Sequence, residues 1–102
     1  MSANPARGEA ALAIDGAVLV LRPSFAALVA AEEELGPLFA LVERAAAGSL
    51  RLAEVAALFW HCAHERPEAL TRVRLGEAIV ESGLAATAPA LRTLIGEILK
   101  GR

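Results

Sequence analysis

Tyrosine is absent from this chain, lysine and cysteine each occur once, and the aromatics are Phe25, Phe39, Phe59 and Trp60. With Cys62 as the single thiol, no disulfide can close within the chain, and that usage fits a reducing compartment. There is no basic excess: 10 Lys and Arg stand against 12 Asp and Glu, a formal net charge of -2. Phosphate binding needs the opposite balance, so no nucleic-acid partner is expected. Apolar stretches are broken by charge well before the ~20 residues of a membrane span. The start, Met1-Ser2-Ala3-Asn4-Pro5, has no charged lead followed by an apolar run, so no secretory signal is read and the expected location is the cytoplasm. No P-loop, GxGxxG, GxSxG or HExxH motif occurs. No enzyme and no cofactor are therefore expected.

What is present favours helix. Apolar residues make up 56% of the 102, and many are alanine, the strongest helix former. The length suits one domain. Residues 1–8 read as a flexible lead, and residues 9–102 as a single domain with a hairpin at 9–22 and a helical part at 24–100. In the hairpin, Glu9–Ile14 and Ala17–Leu21 flank Asp15-Gly16, a pair suited to a type I′ turn. A two-residue turn pairs Ile14 with Ala17, Leu12 with Leu19 and Ala10 with Leu21. Those six residues are expected to pack on the helices. The outer face carries Ala11, Ala13, Val18 and Val20; two readings stay open, sheet edges free to dock a partner strand, or edges blunted by Glu9 and Arg22 with the outer face covered.

Ser24 is the expected N-cap of a first helix over about 25–35, with Phe25, Leu28, Val29 and Leu35 as its apolar face and Gly36 as its stop. Pro37 opens a second helix on Leu38, Leu41, Val42 and Ala45, which ends at Gly48. A third helix is predicted from Leu52 to His64, with Val55, Leu58, Phe59 and Cys62 as its stripe and Trp60 beside it. Thr71 caps a fourth, 72–82, ending at Gly83. Pro89 is placed in the first turn of a fifth, whose stripe is Leu91, Leu94, Ile95 and Ile98; Lys100 and Arg102 suit its C-terminus. The fold class is mainly α: an N-terminal β-hairpin followed by four or five short helices packed as a small bundle.

His61, Cys62, His64 and Glu65 are the residues of metal-ligand type that cluster. His61 shares a helix face with Glu65 and His64, but no second cluster completes a coordination shell, and Cys62 falls on the apolar stripe. No metal site is expected. His61 and Cys62 point about 100° apart on a helix, so the pair is not a base and its nucleophile. Glu32-Glu33-Glu34 reads as a solvated face. A helix–turn–helix over 71–99 offers Arg92, Thr93, Glu97 and Lys100, a poor set for reading bases.

One set of motifs is more specific. Asn4-Pro5-x-Arg7-Gly8-Glu9 leads into the hairpin and Asp15-Gly16 turns it. Leu21-Arg22-Pro23-x-Phe25-Ala26 opens the first helix, and Glu32 and Gly36 follow near its end. Ala47-Gly48 precedes a helix, and Gly83-Leu84 separates the last two. In this order they resemble the small tail protein of gene transfer agents and related prophages, described either as a tail assembly chaperone or as a tail tube protein. The resemblance implies a bacterial host cell. It implies a chaperone that binds the tape-measure protein and keeps that long apolar chain soluble until tube subunits polymerise around it. A weak homo-oligomer is kept open beside that partner. The expected contact surface is Val18 and Val20 on the outer hairpin face, with Trp60 as an aromatic anchor and Arg7, Glu9 and Arg22 as its frame. The alternatives are a structural tail tube component and a small DNA-binding regulator.

Overall fold

A computed structural model describes residues 9–101. The lead predicted over residues 1–8, with Arg7 in it, and Arg102 lie outside the described residues. The elements run β1 (Ala10–Ile14), β2 (Ala17–Leu21), α1 (Phe25–Leu35), α2 (Leu38–Ala46), α3 (Leu52–Cys62), β3 (Ala63–His64), α4 (Arg72–Ser82) and α5 (Leu84–Lys100). The mainly helical class and the N-terminal hairpin are as the sequence predicts. The hairpin register is also the predicted one, pairing Ala10 with Leu21, Leu12 with Leu19 and Ile14 with Ala17. Asp15 and Gly16 both have positive φ, +51° and +77°, the conformation a type I′ turn demands. Ala10, Leu12, Ile14, Leu19 and Leu21 are buried against the helices, while Ala17, beside the turn, is exposed.

Helices α1 and α4 start where a side chain satisfies one of their free N–H groups. Ser24 Oγ accepts from the Ala27 N–H at 3.2 Å, and Thr71 Oγ1 accepts from the Arg74 N–H at 3.1 Å. The centre is α3, which buries Val55, Ala56, Ala57, Leu58, Phe59 and Cys62. Its alanines let neighbours approach on more than the predicted stripe, and it packs against both α1 and α4. On the far side α5 packs on β1, α4 and α2.

Three expectations are corrected. Helix α3 stops at Cys62, and Ala63–His64 pair with Leu21 and Val20 as a short third strand. The sheet order is β1-β2-β3, so the outer edge of β2 is occupied and does not remain free for a partner strand. The edge's hydrogen bonding is what draws the chain out of the helix: Arg22 N–H donates to the Cys62 carbonyl at 2.7 Å, and Ala63 is already extended. Second, α5 begins at Leu84, so Pro89 lies inside the helix and not in its first turn. Burial of Thr87 and Ala90 holds the segment helical despite the bias of proline against a helical residue before it. Third, Phe25 is exposed; Ala31 is the buried residue of α1, with Leu28 and Leu35 packed at the margin of the core.

Candidate partner-binding surface

The structure separates the residues predicted to form one contact face. Val18 is 53% exposed, but Val20, two residues on, is 3% exposed. Val20 lies between Ala11 on β1 and His64 on β3, so the third strand closes the outer face around it. It belongs to the interior and not to a contact patch. Glu9 is buried, and its Oε2 accepts from Arg22 Nε at 2.7 Å. These two residues tie the start of β1 to the end of β2.

Trp60 is half-buried at the edge of the core. The Arg66 guanidinium lies 4.1 Å from its ring centroid and that of Arg72 lies 5.9 Å away, a cation–π stack. Arg66 also donates to the Trp60 carbonyl at 2.7 Å. Next to this stack is Glu34. Its carboxylate accepts from Arg72 Nη1 at 2.7 and 2.9 Å and lies 2.7 Å from His61 Nε2. The Arg72 bonds, then that of His61, hold the Glu34 carboxyl below the usual carboxylate range. The glutamate run is thus more than a solvated face: Glu34 joins α1 to α3 and α4, and Glu32 Oε2 accepts from the Leu38 N–H at 3.1 Å.

The His–Cys cluster is dispersed in the same way. His61 faces Glu34, and His64 lies 3.5 Å from Glu65. Cys62 is buried, which pushes its thiol up to about 12. Among the described residues no group of three His, Cys, Asp or Glu side chains is placed to hold a metal ion.

Apolar recesses among the described residues include a shallow one of about 720 Å³ between α3 and α4, where Leu52 and Ala56 meet Gly76 and Val80, and two narrower ones. One, of about 250 Å³, lies beside the hairpin turn, where Ile14, Val18 and Leu19 meet Pro67 and Leu70. Arg74 closes its rim with bonds of 2.6 and 3.2 Å to the Asp15 carboxylate, and two of 3.0 Å to Glu81. Those bonds hold the Asp15 and Glu81 carboxyls low and the guanidinium high. The other, of about 200 Å³, lies between α1, α2 and α5 and is lined by Leu28, Leu38, Phe39, Val42, Ile98 and Leu99. Phe39 is 81% exposed on its wall, and Phe25, one turn before Leu28, is 85% exposed. The sequence reading missed this surface. Its signal was an excess of large apolar residues on the short α1 and α2, more than one buried stripe needs.

Residues 7–101 match the family model described as phage tail tube protein, GTA-gp10. The chain belongs to that family. Nothing matches it among curated proteins or among solved structures. The motifs that carry the GTA-gp10 resemblance do structural work in the described residues. Asp15-Gly16 forms the turn, Arg22 bonds both Glu9 and the Cys62 carbonyl, and Gly83, at φ +88°, is the joint shared by α4 and α5. As a GTA-gp10 family member the chain is a tail-related protein, which directs attention to surfaces that other tail proteins could cover.

Proposed function

We propose that this tail protein is a non-enzymatic assembly chaperone for the tape-measure protein, working in the cytoplasm of the bacterial host. The observation that carries the reading is the exposure of large apolar side chains. Eight are exposed among the described residues, including two of the chain's three phenylalanines. Burying each such side chain in the core would stabilise the fold by about 1.5–3 kcal/mol. Left outside, they supply surface for an apolar client. A chaperone covers apolar stripes on the unassembled partner and gives way when the tube replaces it, which requires differential affinity and no nucleotide.

The family description favours a second reading, a subunit of the tail tube. Against it stands the small sheet, two five-residue strands and one two-residue strand. Co-expression with the tape-measure protein of the same tail locus separates the two. The expected result is that the tape-measure protein stays in the soluble fraction and co-purifies with this chain. A tape-measure protein that precipitates regardless, together with concentration-dependent polymerisation of this chain in light scattering, overturns the chaperone reading in favour of the tube.

A further inference from the structure

We infer that the groove between α1, α2 and α5 binds an amphipathic helix of a partner tail protein. The apolar stripe of that helix seats on Leu28, Phe39, Val42 and Leu99, and its basic flanks meet Glu32 and Glu43. The inference deepens the chaperone reading by naming the surface and the chemistry of its occupant.

Size comes first. The recess, about 200 Å³, is smaller than the ~300–1,000 Å³ of small-molecule sites, so it suits anchoring side chains of a macromolecule. Its walls are three helices, and a further helix packs into such a furrow by setting side-chain ridges into grooves. Composition is the second argument. Every lining residue is apolar, and Phe39 stands among them at 81% exposure, the kind of aromatic anchor that dominates interface energetics.

Charge selects the occupant. Glu32 lies one turn beyond Leu28 on α1, and its carboxylate is fixed beside the groove by the Leu38 N–H. Glu43 follows Val42 and lies one turn beyond Phe39 on α2. Both are exposed, and neither is ion-paired within the described residues. Lys100, next to Leu99, is the cation on the α5 side. Among the described residues at the groove's rim, two exposed carboxylates against one ammonium favour a helix whose apolar stripe is flanked by Lys or Arg and disfavour one flanked by Glu.

The probe is a synthetic helix of about 18 residues, long enough to form, with a leucine stripe flanked by lysines. Its twin carries glutamates in their place. Binding to the full chain is read by fluorescence anisotropy. The lysine peptide is expected to bind at least about tenfold more tightly than its twin. Phe39→Asp should weaken it by about tenfold or more. Glu32→Gln with Glu43→Gln should weaken it less and flatten its salt dependence. Val73→Asp, on exposed α4 surface, should leave it unchanged. No binding of the lysine peptide, equal binding of the twin, or full binding by Phe39→Asp overturns the groove. In the co-expression assay, a Phe39→Asp chain that solubilises the tape-measure protein as well as wild type also overturns the groove, while the chaperone reading stands. Wild type that fails to solubilise it sinks the chaperone reading, and the peptides then decide the groove alone.

Discussion

Val18 and Val20 are alternate residues of β2 and point to the same side of the sheet, yet one is in solvent and the other is enclosed. The difference comes from two residues far along the chain, Ala63 and His64, which extend the sheet past Val20 but not past Val18. A charge therefore has opposite meanings at the two sites. Val20→Glu buries a carboxylate between Ala11 and a His64 that already faces Glu65, and should destabilise the fold by about 3 kcal/mol or more. Val18→Glu stays in water and should change stability by less than about 0.5 kcal/mol. Urea denaturation followed by circular dichroism measures both; equal midpoints would contradict the third strand. Loss of partner binding in Val20→Glu alone would then reflect loss of the fold and not of a contact.

At the scale of elements, local signals locate starts and stops where a side chain or a turn does the work. Ser24, Thr71 and Asp15-Gly16 are examples, because capping hydrogen bonds and positive φ are properties of the residues themselves. They fail where neighbours decide. Helix α5 continues through Pro89, which has no N–H to give the Ala85 carbonyl one turn back. Ala85 is an exposed residue, so water can reach the turn that lacks the bond and the loss is tolerated. Restoring the donor with Pro89→Ala should stabilise the protein by about 1 kcal/mol, since the added hydrogen bond and relief of ring crowding outweigh the freer unfolded chain. The expected readout is a higher urea midpoint with an unchanged slope. A lower midpoint would mean that the freedom proline removes from the unfolded chain outweighs the added hydrogen bond.

Across the whole molecule, ion pairs connect elements that are distant in sequence. Arg74 on α4 reaches Asp15 in the hairpin turn, Arg72 on α4 reaches Glu34 on α1, and Arg44 on α2 meets Glu54 on α3. The carboxyls of Asp15, Glu34, Glu54 and Glu81 are all lowered in the folded chain. For Glu54 the largest cause is the Arg51 backbone N–H. Lowered carboxyls stabilise the fold when ionised. Their contribution is complete above the ordinary values, 3.8 for Asp and 4.5 for Glu, and is lost as pH falls through the lower folded values. Thermal midpoints should therefore be flat from neutral pH to about 5 and decline below 4.5. Arg74→Met removes the partner of both Asp15 and Glu81 and should make that decline shallower. An unchanged acid limb would show that these surface pairs contribute nothing.

The sequence by itself determined the hairpin with its register, the capped helix starts, the α3 stripe and membership of the tail family. Each of these rests on local chemistry or on the order of short motifs. The tertiary structure decided where α3 ends, because a free strand edge competed for the backbone of Ala63 and His64. It decided that Val20 is interior, that Glu34 is a tie between helices, and that Phe25 and Phe39 face solvent. Periodicity marks an apolar side chain as able to be buried, but only the arrangement of the other helices determines whether anything lies over it.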